Sequence, residues 1–525
     1  MVISVSDRVL SGLAWHRLGE YLHETQVLGS IQNTLYWDQN TTMPSQAASW
    51  RAEQLSLLAR QLHARQSSEH FEELISEARS EFKKVSKTGD LDQIEIDDRG
   101  KNLELLEQDL KRQKRLDPDL ISQLATAKAK GYSLWRQAKV NSEFKCFAPA
   151  LRDLISLRQE QAKQLSESRS CWETLAQPFE PDLSIGRLQE LFGPLRNSLP
   201  ELIEKVRGWE RPERPSWDLE ENAQKSLCQR LLQEWGRDIE VTCVATSPHP
   251  FSITLGPQDF RLTTRVVKGQ PLSCFLATAH EWGHSLYEQG LPIQSHQWFD
   301  WPLGQATSMA LHESQSLFWE NRVARSRPFA ERFWTNFAKE GAPINSGIDL
   351  WHAMNPLVPG CNRVEADELS YGLHILIRTD LEIAMLEGGL EVEALPGEWN
   401  KRYKSFLGVT PRNDSEGCLQ DVHWSEGQFG YFPSYLLGHL ISAQLAEAMR
   451  GSLRGLGVHE ADPIGACIRG GNESKLLAWL RTEVHVHGRK MNAENLVEHV
   501  TGSPLSSSAF LNYLEQKLEM LNSTS

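Results

Sequence analysis

The sequence predicts a mainly α-helical protein with one small β-sheet. From about residue 7 to residue 170, leucines such as Leu55, Leu58 and Leu62 recur at three-to-four spacing, with charged residues between them. The same periodicity returns in the second half of the chain, over 304–326, 363–387, 438–450 and 508–520. Few segments alternate with a period of two. We therefore expect helices along most of the chain.

Composition limits the classes of partner. The 525 residues carry a formal net charge of -14, which argues against a nucleic acid and against an anionic membrane surface as partners. The eight cysteines contain no C-x-x-C pair, as expected of reduced thiols. There is no signal-peptide pattern and no apolar run of about 18 residues. We expect a cytoplasmic protein.

Residues 239–264 differ from the rest of the chain. They are rich in β-prone side chains and are interrupted by Pro248, Pro250 and Gly256, so they predict a small sheet. In the same stretch, Asp259 and Arg261 could form an ordinary ion pair on a strand. One interpretation is an edge strand that binds extended peptide by strand addition. The alternative is a two-stranded structural hairpin.

The sheet is followed at once by the sequence SCFLATAHEWGHSLYEQG, residues 273–290. A helix here would have Ser273 as its N-cap and would stop at Gly290. His280 and His284, four residues apart, would then share one face and could bind one metal ion, with Glu281 beside them as a general base. The alternative is a core helix whose two histidines are satisfied by protein contacts.

A third ligand distinguishes these interpretations. Tyr287 and Gly290 stand where a metzincin would have Gly and His, so that pattern is absent. Glu313, on a stretch without Pro or Gly, lies 29 residues after His284 and could supply a carboxylate from a second helix. Two imidazoles and one carboxylate with an open fourth position are typical of catalytic zinc sites. The alternative for Glu313 is a solvated helix carboxylate.

Residues 417–435 are dense in groups that peptide hydrolysis needs. Gln420 and His423 could donate hydrogen bonds to a substrate carbonyl or carboxylate, and Tyr431 or Tyr435 could stabilise an oxyanion. Upstream, Arg363 and Arg378 lie in a stretch of mixed charge, which usually forms a solvated helix face.

Together these segments resemble the carboxypeptidase Taq family. The resemblance rests on ordered motifs, namely YWDQNTTMP at 36–44, HPF at 249–251, D-x-R-x-T at 259–263, HEWGH at 280–284, HESQ at 312–315, R-x-x-A-D at 363–367 and G-x-x-Q-D-x-H-W at 417–424.

The resemblance implies a large helical metallocarboxypeptidase with a deep cleft between two halves and a small sheet next to the HExxH helix. It would form one catalytic unit over 1–525, with a helical part over about 1–235 and a catalytic part over 236–525, and would assemble as a homodimer. It would use one divalent ion, zinc with cobalt or manganese as alternatives, and release single residues from peptides with a free C-terminus.

The resemblance also implies residue roles. His280, His284 and Glu313 would bind the metal, and Glu281 would be the general base for a metal-activated water. Substrate contacts would come from Arg363, for the terminal carboxylate, and from Gln420, His423, Tyr431 or Tyr435, His249 and Arg261.

The chain departs from the family pattern at Asn362, at Asp182 where a glycine is common, at Gln177–Pro178 and over 235–248. Two rival functions remain open. One is an endo-oligopeptidase on the same scaffold, and the other is a helical peptide-binding protein without catalysis.

Overall fold

Helices dominate the computed structural model, which describes residues 13–87, 91–209, 217–293, 298–458 and 460–523. The mainly α prediction is confirmed. Its α-helices are α1 Leu13–Thr41, α2 Ala48–Gln66, α3 Glu69–Val85, α4 Gln93–Lys114, α5 Pro118–Asn141, α6 Phe144–Leu165, α7 Cys171–Ala176, α8 Ile185–Val206, α9 Glu221–Glu234, α10 Pro271–Gly290, α11 Met309–Leu317, α12 Arg327–Lys339, α13 Gly347–Met354, α14 Glu368–Leu386, α15 Leu395–Leu407, α16 Pro433–Gly455, α17 Pro463–Arg469, α18 Glu473–Glu483, α19 Ala493–Thr501 and α20 Ser508–Ser523.

The predicted sheet is present, and it has three strands. They are β1 Thr242–Thr246, β2 Ser252–Gly256 and β3 Asp259–Thr264. β3 is central, parallel to β1 and antiparallel to β2. The two-stranded hairpin is therefore wrong, because the segment before Pro248 forms a third strand.

Two expected helices have different bounds. The stretch 304–326 contains α11, whose N-cap is Ser308, followed by the π-helical turn Phe318–Ala324. The stretch 363–387 begins with the 3₁₀ turn Arg363–Glu365, and α14 starts only after Asp367, whose side chain accepts a hydrogen bond from the Ser370 amide at 2.8 Å. In both cases a polar side chain caps the orphaned amides of the first turn and so determines where the helix begins.

The chain divides into two compact units. Unit 1 comprises Met1–Arg115, Glu220–Thr307 and Glu473–Met491. Within it, apolar side chains of α1, α3 and α4 pack around the buried residues Trp298, Trp301 and Leu303. The amide of Leu303 donates to the Asn102 side chain at 3.0 Å, so the loop after α10 is held on α4.

Unit 2 comprises Leu116–Leu219, Ser308–Asn472 and Asn492–Ser525. At its centre α11 packs along α16, and α14 packs on α8 and α16. These contacts place Glu313, on α11, beside the first turns of α16. Among the described residues of both units, no helix is long and apolar enough to cross a bilayer.

Candidate active site

The HExxH motif lies on α10, as predicted. The expected N-cap at Ser273 is wrong, because the helix starts at Pro271, whose fixed backbone torsion suits the first helical position and which needs no amide partner. Its first turn is tied to the sheet, since the Thr264 hydroxyl donates to the Cys274 carbonyl at 3.0 Å and accepts from Thr278 at 3.0 Å.

The end of α10 is also restrained. A Cβ atom on Gly290 would lie 2.1 Å from Nδ1 of His485, so only glycine allows this approach. The ring of Tyr287, one turn earlier, meets the ring of His485 edge-on at 5.2 Å between centroids. Both ends of the helix are therefore anchored within unit 1.

Between these anchors, His280 and His284 present their imidazoles together. Their ring centroids are 4.9 Å apart and the rings are nearly perpendicular, as expected one helical turn apart. Both side chains are half-buried, whereas Glu281 is buried, with 8% of its surface exposed.

Glu313 follows on the second turn of α11. A Cβ atom on Gly438 of α16 would lie 2.9 Å from both Cβ and Cγ of Glu313, so the glycine allows α16 to approach this carboxylate's stem. His280 and His284 of unit 1 each offer an imidazole nitrogen, and Glu313 of unit 2 offers a carboxylate oxygen. This donor set, two imidazoles and one carboxylate, fits a divalent ion such as zinc.

Arg363 lies in a buried charge cluster. It contacts Asp421 through Nε at 2.9 Å and through Nη2 at 2.8 Å, and Arg378 donates to the other oxygen of Asp421 at 2.6 Å. Burial alone would raise the pKa of Asp421, but the two guanidinium groups hold it well below its usual range. Burial would lower the pKa of Arg363, and the Asp421 carboxylate more than offsets this. The two guanidinium groups of Arg363 and Arg378 face the single carboxylate of Asp421, so these three side chains together carry one net positive charge.

The prediction of a solvated face around Arg378 is wrong, because none of its surface is exposed. Its Nη1 donates to the His374 carbonyl at 2.8 Å and to the Tyr403 hydroxyl at 3.0 Å. Sequence analysis did not single out Asp421, whose only signal is its place next to Gln420 in the G-x-x-Q-D-x-H-W motif.

The Gln420 side chain is bonded to neighbouring protein groups. Its carbonyl accepts from the Arg363 amide at 2.9 Å, and its NH₂ donates to the Glu416 carbonyl at 2.9 Å and the Cys361 carbonyl at 3.1 Å. The neighbouring departure, Asn362, caps the 3₁₀ turn, since its side chain accepts from the Val364 amide at 3.1 Å.

An aromatic group surrounds His423. Its Nε2 lies 3.4 Å from the Tyr435 hydroxyl, and its ring packs on Phe432 and Tyr431 with centroid distances of 4.5 and 5.6 Å. Burial lowers the pKa of His423 to about 4, so the imidazole is neutral at pH 7. Burial raises the pKa of Tyr435 and of Tyr431, which keeps both phenols protonated.

His249 and Arg261 lie in unit 1. His249 is exposed. The ion pair expected for Arg261 is present, because Nε and Nη2 each donate to Asp259 at 2.7 Å, and the guanidinium lies 5.6 Å from the centroid of the Trp37 ring.

The chain matches known proteins along nearly its whole length. Residues 17–518 match the family model described as carboxypeptidase Taq (M32) metallopeptidase. Thermostable carboxypeptidase 1 of Thermus thermophilus is 34% identical over 97% of this chain and 99% of that protein. Carboxypeptidase 1 of Bacillus subtilis is 31% identical over 93% of this chain and 94% of that protein.

Solved structures agree. The crystal structure of the M32 carboxypeptidase from Deinococcus radiodurans superposes with a TM-score of 0.89 at 30% identity, covering 98% of this chain and 100% of that one. The fold, the ordered motifs and the relatives lead to one conclusion. The chain belongs to the carboxypeptidase Taq family of metallopeptidases and is a metallocarboxypeptidase.

Proposed function

We propose that this enzyme removes single residues from the free C-terminus of peptides, with a divalent ion held by His280, His284 and Glu313. The observation that carries the proposal is the pair of imidazoles on α10, 4.9 Å apart, with the buried Glu281 between them in a metallocarboxypeptidase. The match to the metallopeptidase family model, which spans the HESQ motif at 312–315, supports Glu313 as the third ligand.

Zinc is the ion that this donor set favours, although cobalt and manganese accept the same ligands. When bound, the ion supplies Lewis-acid chemistry, polarising the scissile carbonyl and making water more acidic. The protein supplies the other groups. Glu281 accepts a proton from the attacking water and then gives it to the leaving amine, which requires a carboxylate next to the ligands and not among them.

Arg363 is proposed to bind the terminal carboxylate of the peptide. Asp421 engages Nε and Nη2, so Arg363 keeps further N–H donors, and the cluster has a surplus positive charge. The Gln420 carbonyl accepts from the Arg363 amide and so holds this backbone in place. Gln420 therefore supports substrate binding through Arg363.

We assign the oxyanion contact to a phenol. Tyr435 and Tyr431 stay protonated at neutral pH because burial raises the pKa of each. A neutral hydroxyl can donate to negative charge as it develops on the carbonyl oxygen. The neutral His423, 3.4 Å from the Tyr435 hydroxyl, orients that phenol. His249 and Arg261 are proposed to contact the substrate on its N-terminal side, with Asp259 holding the guanidinium in one orientation.

The proposal extends to assembly and location. We propose that residues 1–525 act as one catalytic unit, in a homodimer, in the cytoplasm, on peptides of mixed sequence. The net charge of -14 supports a peptide substrate over a nucleic acid or an anionic membrane. Size-exclusion chromatography with light scattering tests the dimer.

A timed mass-spectrometric digest tests the activity. Mixed peptides should lose residues one at a time from the C-terminus, a chelator should stop this, and added zinc or cobalt should restore it. The same peptides with C-terminal amides should be cleaved much more slowly, because Arg363 then has no carboxylate to bind. Equal cleavage of both forms would favour an endo-oligopeptidase, and protein that binds metal without cleaving any peptide would favour a binding protein.

A further inference from the structure

Glu180 is a buried carboxylate to which neither the sequence motifs nor the proposed chemistry assigns a role. It lies between α7 and α8 in unit 2, with 5% of its surface exposed. The turn around it is held by its own hydrogen bonds. The amides of Phe179 and Glu180 both donate to the Ala176 carbonyl at 2.9 Å, and the Gln177 side chain accepts from the Asp182 amide at 2.9 Å.

Asp182 gives a second reason to regard this turn as well defined. Its φ of 67° is in the left-handed region, which residues other than glycine seldom adopt. The Asp182 carboxylate accepts hydrogen bonds from Arg169 and Asn492, each at 3.3 Å. These contacts help to stabilise the less favourable backbone conformation of Asp182.

From this turn, one oxygen of Glu180 joins two helices. Oε1 accepts from the Ala310 amide at 2.6 Å and from the Ser434 hydroxyl at 2.6 Å. Ala310 is the second residue of α11, and Ser434 is the second residue of α16. A carboxylate at two helix N-termini satisfies orphaned donors and complements the positive ends of both helix dipoles. The Phe179 carbonyl adds a bond from the Met309 amide at 2.9 Å.

These two helices carry the groups assigned to chemistry. Glu313 lies three residues after Ala310, and Tyr435 directly follows Ser434. Beyond this point the helices touch closely, because Gly438 leaves no room for a side chain against Glu313. A slide of α11 along α16 would therefore displace the Glu313 carboxylate, and the bonds to Glu180 oppose such a slide at the ends of both helices.

We propose that Glu180 is a positioning residue that holds the helix of Glu313 against the helix of Tyr435 and so directs the Glu313 carboxylate toward the cation. This inference rests on the proposed function, in which Glu313 is a metal ligand. Groups that orient a ligand typically affect metal affinity by about 10- to 100-fold. A purely structural Glu180 would affect stability alone.

The test uses the full-length protein and the cobalt ion, whose visible absorption reports its ligand geometry. Cobalt affinity and the absorption spectrum would be measured for the native protein and for Glu180→Ala, Glu180→Gln and Glu313→Ala. The stability control is Gln444→Ala on α16. The buried Gln444 side chain lies six residues after Gly438 and bonds to the carbonyls of Ser503 and Pro504 at 3.0 and 3.1 Å.

We expect Glu180→Ala to bind cobalt about tenfold or more weakly with an altered spectrum. Glu180→Gln should stay within about threefold of the native affinity, because its carbonyl can still accept from Ala310 and Ser434. Gln444→Ala should lower the midpoint of thermal unfolding but leave the affinity and spectrum unchanged. If Glu180→Ala does not fold, Ser434→Ala, which removes one of the two contacts, should still weaken cobalt binding measurably.

Three results would overturn the inference. In the first, Glu180→Ala, or Ser434→Ala in its place, binds cobalt with native affinity and an unchanged spectrum. In the second, Gln444→Ala weakens binding as much, which would indicate general destabilisation. In the third, Glu313→Ala keeps native cobalt affinity. That result would refute the metal assignment as well, whereas the first two leave the proposed function intact.

Discussion

The HExxH helix α10 and the arginine cluster hold their polar groups in different ways. On α10, His280, Glu281 and His284 come from five consecutive residues, and helix geometry alone puts the two imidazoles together. Arg363, Arg378 and Asp421 come from three separate segments, and mutual charge attraction in a buried place holds them together.

This difference predicts different consequences of mutation. A change of His280, Glu281 or His284 should alter the chemistry and leave the fold intact, because the helix backbone that places these side chains is anchored at both ends. A change in the arginine cluster should lower the stability of the fold, because each charge there stabilises the others, and a change at Arg363 should weaken substrate binding as well.

The largest effect is expected for Glu281→Gln. Loss of the general base should lower kcat by about 10²- to 10⁴-fold, while metal content and thermal stability stay native. The matched control is Glu288→Gln, two turns later on the same helix, which should keep full activity. Peptide hydrolysis assays with metal analysis decide the matter, and substantial activity in Glu281→Gln would refute the assignment of the base.

Arg363→Gln should lower kcat/KM on peptides with a free C-terminus by about 10- to 100-fold, since a charge-assisted hydrogen bond contributes about 1.5 to 3 kcal/mol. The comparison is Arg378→Gln, whose guanidinium is fully buried against Asp421, Tyr403 and a backbone carbonyl. It should mainly lower the free energy of unfolding, by about 3 to 5 kcal/mol.

The discriminating measurement is the ratio of kcat/KM on free and amidated peptides. Arg363→Gln should reduce this ratio, and Arg378→Gln should largely preserve it. An unchanged ratio in Arg363→Gln would mean that another group binds the terminal carboxylate.

Gly438→Ala should weaken metal binding by about tenfold and cost about 1 to 3 kcal/mol of stability, because the new methyl would meet the stem of Glu313. Gly451 on the same helix has open space around its Cα. Gly451→Ala should therefore be neutral or stabilising by up to about 1 kcal/mol. Equal metal affinity in the two variants would show that α11 can yield to the added methyl.

The smallest effect concerns His423 and pH. Its pKa falls from 6.5 to about 4 on folding, so the unfolded chain binds the proton first as the pH drops. Stability that is present above pH 6.5 should be lost as the pH falls toward 4. This amounts to about 1 kcal/mol between pH 7 and pH 5.5.

His423→Gln should remove that part of the pH dependence, measured by denaturant unfolding at several pH values. His70→Gln, on an exposed side chain, should not change it. Parallel stability profiles for the native protein and His423→Gln would contradict a depressed pKa.

Sequence analysis succeeded where structure is local. The HExxH spacing, the sheet before it and the Asp259–Arg261 pair depend on residues close in the chain, so periodicity and composition predicted them. The N-cap predicted at Ser273 is wrong because Pro271, which suits the first helical position, starts the helix two residues earlier. The burial of Arg378 was missed because mixed charges usually mark a solvated face, and its partner Asp421 lies 43 residues away. No sequence pattern indicated a role for Glu180, because its hydrogen-bond partners on α11 and α16 are distant in the sequence.

The close approach of Gly290 to His485 has a consequence for how the enzyme is made. Residues 473–491 return to unit 1 after residues 308–472 have passed through unit 2. During synthesis, α10 therefore emerges from the ribosome about 200 residues before the segment that seals its C-terminal end, and domains ordinarily fold in the order of their emergence. A nascent or truncated chain lacking that late segment carries the complete HExxH motif on a helix whose C-terminal end has lost its contacts with His485. We therefore expect peptidase activity to appear only when translation is nearly finished.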